Sequence, residues 1–223
     1  MIFDPVYWLV IGAGVLLSVW AQIRTKSAFA KYSKIPTRSG MTGREVAERV
    51  LRDHGIHDVT VEAVPGTLTD HYDPRSRTLR LSEPVYGGRS MAAFGVAAHE
   101  AGHAIQHADG YGMLAFRSAW VPVANTGSGL SIFVIIMAVF MGGVATPLGK
   151  TLAIAGVLLF ATTTVFTLVT LPVEFDASKR ALLALEGGRY VEQDELMGAK
   201  KVLDAAAMTY VAAFITSLLT LLY

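Results

Sequence analysis

The sequence predicts an α+β membrane protein: about four transmembrane helices plus a small cytoplasmic domain with a short β-sheet. Three observations predict it. Of 223 residues, 52% are hydrophobic and 17% are charged, whereas a soluble domain carries roughly 25% charged residues. The apolar residues collect into four long runs instead of spreading along the chain. The polar stretch between the first two runs holds a helix cap, alternating strand patterns and turn residues.

Residues 6–23 are apolar for long enough to cross the hydrocarbon core, with Trp8 and Trp20 placed to sit at the two interfaces. A cleaved signal would carry basic residues before this run and a small-residue cleavage site after it. Here only Asp4 precedes it, while Arg24, Lys26, Lys31, Lys34 and Arg38 follow. Residues 1–23 are therefore expected as a retained helix with an outside N-terminus and a cytoplasmic basic flank.

Residues 24–118 form the expected cytoplasmic domain. Thr42 and Glu45 make a capping-box pattern, opening a helix that ends near Gly55. Residues 59–64 alternate as a strand, and 67–72 and 77–81 read as a hairpin across Asp73-Pro74-Arg75-Ser76. After the Gly87-Gly88 break, Ser90 can cap a further helix.

Residues 119–171 are expected as a transmembrane hairpin, with runs at 119–141 and 151–171 joined by a short glycine-containing turn. Residues 172–204 are polar and expected in the cytoplasm, and 205–223 are the fourth run. The cell membrane is the expected location, crossed several times. A net charge of +1 gives no case for nucleic acid. The absence of cysteine excludes disulfides and thiolate metal ligands.

One stretch carries chemistry: Val96-Ala97-Ala98-His99-Glu100-Ala101-Gly102-His103-Ala104-Ile105. This is H-E-x-x-H in a helical run. On a helix, His99 and His103 lie ~40° apart around the axis and one turn along it, so both imidazoles can reach one metal ion. Glu100 flanks that face, within reach of a water held there. The pattern is that of a zinc hydrolase with two histidine ligands and a glutamate general base. The neighbours are apolar or small, which predicts a buried helix.

A zinc enzyme needs a third protein ligand and an open position. An extended motif with a third histidine would need Gly and His where this chain has Gln106 and Asp109. Crossing parity points elsewhere. If 119–141 and 151–171 both span, the chain returns to the side of His99 near residue 172. Glu174 is the first acidic residue after that return, with Asp176 the rival. Pro172 suits the first turn of a new helix there.

At these residues the chain resembles the YugP-like integral membrane zinc metallopeptidases, related to the HtpX and CAAX-prenyl-type proteases in which a glutamate is the third ligand. The likeness covers nearly the whole chain. It rests on the first span, Asp70-His71-Tyr72-Asp73-Pro74, His99 through Gln106, the transmembrane hairpin, and Glu174-Phe175-Asp176-Ala177-Ser178. In the wider group the second motif reads Glu-x-x-Ala-Asp-Arg-x-Ala. Glu174, Ala177 and Ala181 match it, while Ser178 and Lys179 replace its Asp and Arg.

The resemblance implies a zincin-like domain, Zn²⁺ held by His99, His103 and Glu174, and neutral endopeptidase activity at the cytoplasmic membrane surface. Membrane protein quality control is the expected setting. Glu100 is expected to take the proton of an attacking water and pass it to the leaving amine. An oxyanion donor is expected among His71, Tyr72, Tyr111 and Arg180, with His71 the candidate catalytic residue. The resemblance also implies a protein or peptide substrate that adds as a strand beside 67–72. The lipid bilayer is the other expected partner, with a membrane scaffold or a second copy as a further one. Two rival readings are a scaffold with a structural metal and a hydrolase of non-peptide bonds. A transporter would carry charges at the centres of its spans, and these have almost none.

Overall fold

The computed structural model describes residues 5–223, so Asp4 and the start of the segment 1–23 lie outside the described residues. The described residues are mostly helical, with one three-stranded sheet. In order, it forms α1 (Pro5–Tyr32), α2 (Gly43–Asp53), β1 (Thr60–Val64), β2 (His71–Asp73) and β3 (Thr78–Ser82). Then come α3 (Glu83–Tyr86), α4 (Met91–Ala108), α5 (Gly112–Phe140), a 3₁₀ turn (Gly143–Ala145), α6 (Pro147–Gly187) and α7 (Gln193–Leu222). Helices α1, α5, α6 and α7 are each long and apolar enough to cross a membrane.

These elements divide between two compact units. The first holds the described residues up to Val19 together with Ala115–Leu171 and Tyr210–Tyr223. Its outward surface is apolar: Leu16, Phe140 and Leu158 are each more than 60% exposed. Inside it, Trp120 Nε1 donates to the Thr162 carbonyl, and Thr167 and Ser217 share a hydroxyl contact of 2.9 Å. Polar side chains thus find partners on neighbouring helices.

The second unit comprises Trp20–Leu114 and Pro172–Thr209. Its core forms where α2, the sheet and α4 meet. Val46, Val50, Leu79, Leu81, Val85 and Phe94 are essentially without exposure. Burial of such side chains contributes about 1.5–3 kcal/mol each. The capping box of α2 is present, with Thr42 accepting from the Glu45 N–H and Glu45 accepting from the Thr42 N–H. Gly55, just past the helix end, takes the left-handed conformation that stops it. Ser90 accepts from the Ala93 N–H and starts α4.

The sheet departs from the sequence reading at one strand. The strand expected over 67–72 begins only at His71. Residues before it are turned by Gly66 and by Leu68, both at positive φ, and Thr69 Oγ1 donates back to the Pro65 carbonyl. That local bonding competes with a ladder. The sheet order is β1-β3-β2, with β3 central, parallel to β1 and antiparallel to β2. The hairpin itself is present: Asp73 accepts from the Arg75 N–H and the Ser76 hydroxyl to close the turn.

A further correction concerns Pro172. It does not open a new helix but lies inside the 41-residue α6. A proline within a helix sacrifices one backbone hydrogen bond. Ending the helix in apolar surroundings would orphan several carbonyl and amide groups at once. Continuity is the less costly choice, and it carries Glu174 on the same helix as the apolar run before it.

Candidate metal centre

Helix α4 presents His99 and His103 on one face, their ring centroids 4.8 Å apart and nearly perpendicular. Glu174 arrives from α6. Its Oε2 lies 3.2 Å from His99 Nε2 and 3.7 Å from His103 Nε2. One ligand atom from each residue falls within 4.8 Å of the others. His103 and Glu174 are buried, and His99 is largely so. Tetrahedral zinc with bonds of roughly 2.0–2.1 Å sets its ligand atoms about 3.4 Å apart. The observed 3.2 and 3.7 Å bracket that spacing, and two imidazoles with one carboxylate are a donor set of catalytic zinc.

Electrostatics at α4 follow from burial. Burial opposes a charge on His103, but the hydrogen bond and the charge of Glu174 outweigh it and raise the imidazole pKa. Burial also pushes the Glu100 carboxyl up; His99 and His103 pull it down, while Glu174 and Asp70 add to the rise. Glu100 is buried, yet among the described residues no hydrogen bond ties up its carboxylate. It is left with acceptor capacity beside the histidines.

The far sides of the imidazoles are also held. Ser178 Oγ lies 3.1 Å from His99 Nδ1, and Gln106 Oε1 lies 3.0 Å from His103 Nδ1. Asp176, the rival ligand, sits elsewhere. It accepts from Gln106 Nε2 at 2.8 Å and from the guanidinium of Arg180, which also pairs with Asp109.

His71, Tyr72, Tyr111 and Arg180 are not among these converging donors. His71 Nδ1 bonds the Thr69 carbonyl, and its Nε2 lies 3.5 Å from Arg80. It alternates along β2 with Tyr72, whose hydroxyl meets His107 Nδ1 at 2.8 Å. His71 therefore points to the opposite face of the strand from α4. Arg180 stacks over Tyr111. His107, the remaining histidine of α4, is engaged by Tyr72 and has no ligand position.

Comparison with known proteins decides the family. A model described as "Putative neutral zinc metallopeptidase" matches residues 7–223. The chain belongs to this family of zinc metallopeptidases. Its sequence is 49% identical over 211 residues to "Putative membrane protease YugP" of Bacillus subtilis (strain 168). That match covers 94% of this chain and 91% of the relative. No solved structure matches the chain. Zinc is the ion the metallopeptidase family implies, and the donor set of His99, His103 and Glu174 fits it.

In the sequence, Gln106 discounts a third histidine and closes the stretch that carries the resemblance. The signal for its role was present: a polar residue one turn after His103 in a helix of alanines. Its lack of exposure and its bonds needed the fold. The glycine within the motif has a reason as well. A Cβ on Gly102 would sit 2.5 Å from the Ala177 carbonyl oxygen and 3.2 Å from its carbon. Both atoms are backbone of α6, three residues beyond Glu174, so neither can swing aside. Gly102→Ala is expected to cost about 1–3 kcal/mol through overpacking. It also moves Glu174 off the histidines. Thermal unfolding with and without zinc measures both effects: a lower midpoint and a smaller zinc-induced rise.

Proposed function

We propose that this protein is a zinc-dependent endopeptidase embedded in a membrane, with its second unit a zincin-like domain facing the cytoplasm. The observation that carries this reading is the meeting of His99, His103 and Glu174 beside Glu100, a carboxylate that no hydrogen bond occupies among the described residues. A structural zinc normally takes four protein ligands and needs no base beside it, which favours catalysis over a scaffold role.

His99 and His103 from α4 and Glu174 from α6 would hold the ion, the arrangement of a gluzincin. When bound, zinc supplies a water of lowered pKa and polarises the scissile carbonyl. The chain's own residues do the rest. Glu100 accepts a proton from the attacking water at a carboxylate oxygen and delivers it to the leaving nitrogen. The buried walls of α4 exclude bulk water and strengthen these charge interactions. An extended peptide would add along β2, which is an outer strand with one free edge. Backbone bonding of this kind reads side chains weakly, which suits the removal of diverse membrane proteins.

Four apolar helices support a multi-pass anchor, and the basic residues after α1 support a cytoplasmic catalytic side. The test uses a convenience of the sequence, which has no cysteine. Single cysteines replacing Glu83, Val144 and Glu186 are labelled from either face of sealed vesicles. Positions 83 and 186 should react only from the cytoplasmic face, and 144 only from the other. Cleavage of an unfolded model protein by the purified chain should stop with a chelator and return with zinc. Opposite sidedness of 83 and 186, or cleavage indifferent to the chelator, sinks the proposal.

A further inference from the structure

Gln106 has no solvent exposure, and all three of its side-chain bonds are to neighbours in the second unit. Its Nε2 lies 2.8 Å from the Val173 carbonyl oxygen and 2.8 Å from Asp176 Oδ2. Its Oε1 lies 3.0 Å from His103 Nδ1. A carbonyl oxygen and a carboxylate oxygen accept hydrogen bonds and do not donate them. The amide nitrogen carries two protons, one for each of these oxygens. Turning the amide over would set oxygen against oxygen twice. Oε1 is therefore the atom that faces His103.

The consequence reaches the imidazole. An amide oxygen can only accept, so His103 Nδ1 must carry a proton. A neutral imidazole has one ring proton, which leaves Nε2 of His103 with its lone pair free. That is the nitrogen lying 3.7 Å from Glu174 Oε2, on the side where the ligand atoms converge. His99 has no such constraint, because the Ser178 hydroxyl at its Nδ1 can donate or accept.

We infer that Gln106 is a positioning residue that fixes His103 in its metal-binding tautomer, its own amide held by the Val173 carbonyl and Asp176. Arg180 completes the chain by holding Asp176 from the other side. The two helices that supply the ligands are thus also tied together behind them, independently of any ion. This inference rests on the metal site proposed above.

Zinc affinity of the full chain in detergent, measured against a chromogenic chelator, tests it without recourse to activity. Gln106→Met keeps length and removes the acceptor, and is expected to weaken zinc binding about 10–100-fold. Gln106→Glu keeps an acceptor toward Nδ1 and can carry a proton toward Asp176, and should bind zinc within about threefold of the parent. In zinc-free protein with ¹⁵N-labelled histidine, at a pH high enough that His103 is neutral, the parent's His103 should show its one ring proton on Nδ1, and Gln106→Met a mixture of tautomers. Gln106→Met binding zinc as tightly as the parent overturns the inference while leaving the metal site intact. So does Gln106→Glu binding as weakly as Gln106→Met. If Gln106→Met does not fold, the parent's nitrogen spectrum decides, and a His103 proton on Nε2 overturns it. A parent that binds no zinc brings down the metal site and this inference together.

Discussion

Replacing Glu100 with glutamine should leave about one zinc per chain and lower peptide hydrolysis by about 10²–10⁴-fold. The substitution preserves size and hydrogen-bonding reach and removes one capacity, that of accepting a proton. Glu100 is no ligand in the observed geometry; the converging donors are His99, His103 and Glu174. Metal content should therefore be indifferent to the change, while the rate is not. The loss corresponds to about 3–5 kcal/mol of transition-state stabilisation. Zinc analysis and cleavage of one model substrate, done on the same preparation, check both halves. A glutamine variant that cleaves at the parent's rate would remove Glu100 from the chemistry.

The other large effect is expected at Glu174. Glu174→Ala takes away the one converging donor from α6 and leaves two imidazoles, too few for a zinc site of three protein ligands. Zinc should wash out of the purified variant, and its unfolding midpoint should stop responding to added zinc. At 100 times the dissociation constant, that response is worth about 2.7 kcal/mol in the parent. Asp176→Ala is the informative control. The Asp176 carboxylate bonds Gln106 and Arg180 and lies outside the converging donors. This variant should keep its zinc stoichiometry while binding the ion more weakly. Full zinc retention in Glu174→Ala would move the third ligand elsewhere.

Much of the site was readable because it is local. His99, Glu100 and His103 lie within one turn and a half of helix, so their spacing alone sets their relative directions. Glu174 needed two further steps, crossing parity and a family resemblance, because nothing local ties it to residues 75 positions earlier. Gln106 and Ser178 were in plain view as polar residues, but polarity alone does not say what they bond. A glutamine in a helix of alanines is ambiguous until its burial is known. A histidine at a strand end invites a role; in the fold, strand alternation turns His71 toward Arg80 and away from α4. Pro172 misled because propensity reads a proline as a helix start, whereas apolar surroundings favour an unbroken helix.

By itself, the amino-acid order determined the four apolar helices, the capped helix α4 and the pair of histidines with their glutamate. Each depends on periodicity, composition or contacts within a few residues. The tertiary structure alone decided that β3 is central, that α6 runs unbroken through Pro172, and that Gly102 lets α4 lie against Ala177. It also decided which polar side chains stand behind the two imidazoles. Those outcomes come from packing between segments far apart in the chain, where excluded volume and the need to pair every buried polar atom choose among arrangements that local preference leaves equal.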